Sequence, residues 1–128
     1  MKRRMIYILL PVLWAALCGC GLFRPRPESE ENLRRRAAEF CDAWRGGDLE
    51  KAYSLCSHNF RTSMDRVLFE HFMKEMPMED YGRIEIAPHM NLRDVRIEVK
   101  RTGGDEYTQL TYWRFERGNW FLDLVEWR

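Results

Sequence analysis

Between residues 32 and 76 the apolar positions recur with a helical period, and beyond residue 80 they alternate, so the chain predicts helices followed by strands. From Asn32 to Arg45, Leu33, Ala37, Phe40, Cys41 and Trp44 make one stripe, while Arg34, Arg35, Glu39 and Asp42 fall outside it. Gly46-Gly47 ends this helix. Asp48 then caps a second helix, Glu50 suits its positive N-terminal end, and Leu49, Ala52, Tyr53 and Cys56 form its apolar face. Phe60 and Arg61 lead into a third helix. Thr62 with Asp65 three later reads as a capping box, Val67, Leu68, Phe72, Met73 and Met76 are its apolar positions, and Pro77 ends it.

After Asp80 charged and apolar residues alternate in Arg83-Ile84-Glu85-Ile86 and again in Val95-Arg96-Ile97-Glu98-Val99-Lys100, the pattern of strands with one wet face. Thr102-Gly103-Gly104-Asp105 predicts a hairpin turn. A long strand rich in Thr, Tyr, Trp and Phe runs from Glu106 to Glu116, Arg117-Gly118-Asn119 turns the chain, and Trp120 to Trp127 is the last strand. The first one or two strands read as short. Helices first and an antiparallel meander second give the α+β class.

The first 20 residues, MKRRMIYILLPVLWAALCGC, carry a different pattern. Lys2, Arg3 and Arg4 precede an apolar run from Met5 to Leu17 that ends in small residues and Cys20, which reads as an export signal. The run is shorter than the roughly 20 residues that a membrane span requires, and Pro11 interrupts it. Leu17-Cys18-Gly19-Cys20 resembles a bacterial lipobox. The resemblance implies a thioether-linked diacylglyceryl group on Cys20, cleavage before it, and an anchor of two or three acyl chains, durable where one would be marginal. Gly21, rather than Asp, implies by the sorting rule of Gram-negative enteric bacteria the periplasmic face of the outer membrane. The domains are then 1–19 signal peptide, 20–31 lipidated cysteine and tether, and 32–128 a single folded domain. Pro25 and Pro27 keep the tether extended, and Arg24 and Arg26 lie near the headgroups.

Three of the 21 basic residues lie in the leader and all 20 acidic ones beyond it, so the mature domain has a net charge of −2 with His neutral. That balance argues against nucleic acid as a partner. Cys41 and Cys56 remain in the folded part; in an oxidising compartment they form either a disulfide or two buried free thiols. Two isolated cysteines and three scattered histidines make no metal-ligand spacing, and no Gly-rich phosphate loop or other cofactor motif is present.

Three segments carry a family resemblance. They are Ala37-Ala38-Glu39-Phe40-Cys41-Asp42-Ala43-Trp44-Arg45-Gly46-Gly47-Asp48-Leu49-Glu50-Lys51-Ala52-Tyr53-Ser54-Leu55, Ser57-His58-Asn59-Phe60, and Gly118-Asn119-Trp120-Phe121-Leu122-Asp123-Leu124. Together they resemble the nuclear transport factor 2-like superfamily, which includes ketosteroid isomerase. The resemblance covers about residues 32 to 128 and implies a curved antiparallel sheet wrapped around the first helix as a cone with a pocket. Such a fold hosts many activities.

Phe40, Trp44, Trp113, Phe115, Trp120 and Phe121 either line an apolar pocket or fill the core of the curved sheet. Tyr53 on the second helix reads as a core tyrosine with its hydroxyl at the rim. Asp123 shares strand parity with Phe121, Val125 and Trp127, so it is the inward carboxylate if that face points inward; Trp120, Leu122 and Leu124 make an equally apolar opposite face. Two functions are in view. One is a non-catalytic domain that holds an apolar small molecule or an envelope protein, with homodimerisation through the sheet as an option that the family implies. The other is a small isomerase that uses a carboxylate base beside a tyrosine.

Overall fold

The computed structural model describes residues 25–126. The leader, Cys20 and Trp127 lie outside the described residues. Four helices precede a four-stranded antiparallel sheet that is not closed, so the architecture is α+β.

Helix α1 (Glu30–Gly46) starts three residues before the first residue of its apolar stripe, Leu33, because Ser29 caps it and Glu30 and Glu31 add negative charge to its first turn. The Ser29 Oγ accepts from the Asn32 N–H at 3.1 Å. Gly47 ends the helix at φ 75°, a left-handed conformation that glycine adopts without a Cβ penalty. Asp48 caps α2 (Leu49–Ser54) by accepting from the Lys51 N–H.

The third predicted helix is in fact two, α3 (His58–Ser63) and α4 (Arg66–Glu75). Ser57 caps α3 and Asp65 caps α4, while the Thr62 hydroxyl donates back to the His58 carbonyl instead of capping anything. The break rotates the buried face of α4. Val67 is 79% exposed and Leu68 42%, whereas Phe69, absent from the predicted stripe, is fully buried four residues before Met73.

The strands are β1 (Met78–His89), β2 (Leu92–Arg101), β3 (Glu106–Glu116) and β4 (Asn119–Val125), in spatial order 1-2-3-4. At 12 residues β1 is the longest strand, not a short one. Register shifts between Met78 and Asp80 and between Tyr81 and Ile84 break its alternation, so its first half does not read as a strand in sequence. The turn at Arg117 (φ 48°) and Gly118 (φ 76°) has the two positive φ angles of a tight hairpin.

One sheet face packs on the helices. Val95, Ile97 and Val99 of β2, Gln109, Thr111 and Trp113 of β3, and Trp120, Leu122 and Val125 of β4 are buried against Leu33, Ala37, Phe40, Cys41 and Trp44 of α1. The other face carries the exposed Arg96, Glu98, Lys100 and Thr108 and the half-buried Leu110 and Tyr112. Cys41 and Cys56 are free, buried thiols. Their surroundings remove water that would solvate a thiolate, which pushes both up to about 12.

Candidate functional site

The predicted aromatic residues divide between the core and the rim. Phe40 meets Trp113 edge-on at 6.2 Å and Trp44 at 6.1 Å, and all three are buried. Trp113 sits beneath α1 with its Nε1 donating to the Thr111 hydroxyl at 2.9 Å, and that hydroxyl donates to the Val95 carbonyl. The Trp44 Nε1 donates to the Met76 carbonyl and so ties the end of α1 to the chain entering β1. Trp120 is buried and stacks edge-on against Phe115 at 5.3 Å, while Phe115 itself is 38% exposed. Phe121 is half-buried, with the Arg36 and Arg117 guanidinium groups 5.2 and 5.6 Å from its ring centre.

Tyr53 packs against the Phe69 ring, which in turn meets Phe60 edge-on, at another part of the same core. Its hydroxyl donates to the Met64 carbonyl at 2.9 Å, which closes the connection between α3 and α4. Tyr53 and Asp123 are thus tied into different parts of the fold, each by its own hydrogen bonds.

Asp123 occupies a bulge. Tyr112 pairs with Leu124 and Trp113 with Leu122, so Asp123 has no partner in the ladder. The bulge resets strand parity: Trp120 and Leu122 point into the core before it, Val125 after it, and Leu124 is left 51% exposed. Neither simple parity of the last strand therefore holds along its whole length. The Asp123 carboxylate accepts from the Ser57 hydroxyl at 2.7 Å and from the Arg114 guanidinium at two 3.3 Å contacts. The bond to Asp123 holds the Arg114 guanidinium in its charged form, above its ordinary value. The Ser57 oxygen in turn accepts from the Phe60 N–H as the cap of α3. Sequence reasoning missed this cluster because Ser57 and Asp123 are 66 residues apart. Its one local signal is a serine three residues before a buried Phe60.

The same segment seals one edge of the sheet. The Ser57 N–H donates to the Leu122 carbonyl at 2.7 Å, and the Leu122 N–H to the Leu55 carbonyl at 2.9 Å, around a Cys56–Leu122 bridge. Among the described residues no strand pairs with the opposite edge, β1.

An open groove of about 370 Å³ lies over the paired strands β1, β2 and β3, lined by Asp80, Tyr81, Gly82, Glu98, Lys100 and Tyr107 among others. It contains none of the predicted aromatic or carboxylate candidates. Its chemistry is polar. The Tyr81 hydroxyl donates to Asp42 at 2.8 Å, and desolvation together with that carboxylate pushes it up to about 12. The Glu98 carboxylate accepts from the Arg83 N–H and lies against Gly82, where a Cβ would approach it to 2.9 Å. Asp42 and Asp80 both pair with Arg45.

The histidines are dispersed. His58 starts α3, His71 pairs with Glu75 on α4, and His89 at the end of β1 lies 3.5 Å from Asp94. Among the described residues no group of His, Cys, Asp and Glu is arranged to hold a metal ion, and no helix is long and apolar enough to cross a membrane. No protein-family model and no curated protein matches the chain.

Proposed function

We propose that this chain is an exported lipoprotein, anchored through lipidated Cys20, whose nuclear transport factor 2-like domain binds a protein partner in the cell envelope without catalysing a reaction. The observation that carries the reading is the filled space between α1 and the sheet. Phe40, Trp44, Trp113 and Leu122 occupy the volume in which a cone of this family would hold an apolar ligand, and each is buried. Order of elements, helices and then an antiparallel meander, supports the family assignment. The charged leader ending at Leu17-Cys18-Gly19-Cys20 supports the anchor and the cell-envelope location.

The alternative, an isomerase with a carboxylate base, is weaker on this geometry. A base must reach a substrate proton within hydrogen-bond distance. Asp123 instead spends its oxygens on Ser57 and Arg114, and Tyr53 spends its hydroxyl on a backbone carbonyl. The outer sheet face and the open edge of β1 remain as contact surfaces.

Native mass spectrometry of the full chain, extracted gently from its own membrane, tests the reading. The expected spectrum shows the acylated polypeptide with no further small-molecule mass. A stoichiometric apolar adduct that survives extraction overturns it, because the filled core leaves no room for one.

A further inference from the structure

We infer that the partner of the open β1 edge is a second copy of this chain, joined antiparallel about a two-fold axis through Ile84. The inference names a partner for the interaction reading above and rests on it only in treating the sheet as a docking element. The two-residue connection Met90-Asn91 closes the β1–β2 hairpin on the pair His89–Leu92, so that pair exchanges ladder hydrogen bonds. Pro88 has no N–H, which agrees with Pro88–Arg93 being a pair whose backbone groups face away from β2. By the period of 2, Ile86 and Ile84 also turn their N–H and C=O groups to the open edge.

Edge strands usually carry charges that repel a foreign strand. On β1 the charges are arranged to match the strand itself. With Ile84 opposite Ile84 of the second copy, Arg83 lies opposite Glu85 and Glu85 opposite Arg83 on the outer face. Arg83 and Glu85 are exposed and 3.0 Å apart within one chain, so the axis would bring two such pairs into an alternating square of four charges. On the inner face the half-buried Ile84 and Ile86 would lose their remaining contact with water. A two-fold pairing uses the β1 edge of both copies, and the opposite edge is bridged at Leu122 by Leu55–Ser57, so pairing through β1 closes at two copies rather than growing into a fibre. A shared membrane anchor would raise the effective concentration of so short an interface.

Two measurements on the full chain test the inference. In its own membrane under a mild oxidant, Ile84→Cys should cross-link to its own copy, because cysteines directly opposite at a hydrogen-bonded pair lie about 5.5 Å apart at Cα, within disulfide reach. Ile86→Cys should not, because its two copies would be offset by four residues, roughly 13 Å along the strand. In mild detergent, Arg83→Glu and Glu85→Arg should each weaken the dimer roughly tenfold by setting like charges opposite each other. A mixture of the two single variants should form a mixed dimer, since each then meets its opposite. A parent chain that is monomeric at every concentration overturns the inference, as does equal cross-linking at 84 and 86 or dimerisation indifferent to both charge variants. A monomer that carries no small molecule overturns only the pairing; a dimer that carries an apolar small molecule overturns the functional reading and leaves the pairing in place.

Discussion

At the scale of single residues, burial decides the chemistry of the two cysteines. Cys41 lies beneath the sheet, and the Cys56 thiol donates weakly to the Ala52 carbonyl at 3.6 Å. A thiol held at about 12 in the folded chain and at an ordinary 9.0 when unfolded favours folding while both states keep the proton. That contribution is complete below pH 9 and is lost as pH rises from 9 towards 12, at about 1.4 kcal/mol per unit and thiol. Urea midpoints should therefore fall above pH 9 more steeply for the parent than for a Cys41→Ala/Cys56→Ala variant; parallel slopes would refute the assignment. At neutral pH an alkylating reagent should leave both thiols unmodified until the chain is unfolded. Position in sequence placed both cysteines among apolar residues, but did not decide between a disulfide and two free, buried thiols.

At the scale of elements, caps and bulges did more than hydrophobic period to set boundaries. Ser57 is the joint between two layers: it caps α3, pairs its backbone with β4 and donates its hydroxyl to Asp123. Loss of a cap hydroxyl costs about 1 kcal/mol, and an unsatisfied group at the half-buried Asp123 adds about 1–3 kcal/mol. Ser57→Ala should destabilise by about 2–4 kcal/mol and Asp123→Ala by about 1–3 kcal/mol, and the double variant should cost less than their sum, because the second substitution removes a partner already lost. Additive losses in denaturant melts would show that the 2.7 Å contact contributes nothing. The same element-level logic explains why Val67 and Leu68 misled the reading of α4. Asp65, not Thr62, starts that helix, and once it does Phe69, Met73 and Met76 form the consistent stripe.

At the scale of the whole molecule, the proposed anchor depends on one nucleophile, Cys20. Cys20→Ser should leave an unlipidated precursor that retains residues 1–19, seen as a larger band and as loss of acyl mass; normal processing of that variant would sink the lipoprotein assignment. The domain itself depends on a continuous core from Leu33 and Phe40 through Trp113 to Leu122, which consumes the aromatic residues that a ligand-binding cone would have spared. The surface offers the outer sheet face, the groove near Tyr81 and Glu98, and the edge of β1.

The amino-acid sequence by itself determined the α+β order, the helix break at Gly46-Gly47-Asp48, the apolar stripe of α1 and the turns at Gly103-Gly104 and Gly118, because each is a short-range matter of period, cap and backbone freedom. It also held the leader pattern in plain view. Only the tertiary structure decided that Phe40, Trp44 and Trp113 fill the core, that Asp123 lies in a bulge bound to Ser57 and Arg114, and that β1 begins at Met78 and leaves one edge open. Those outcomes turn on long-range register. A single unpaired residue in a ladder reverses which side chains face the core, and nothing local to Leu122-Asp123-Leu124 records which residue that will be.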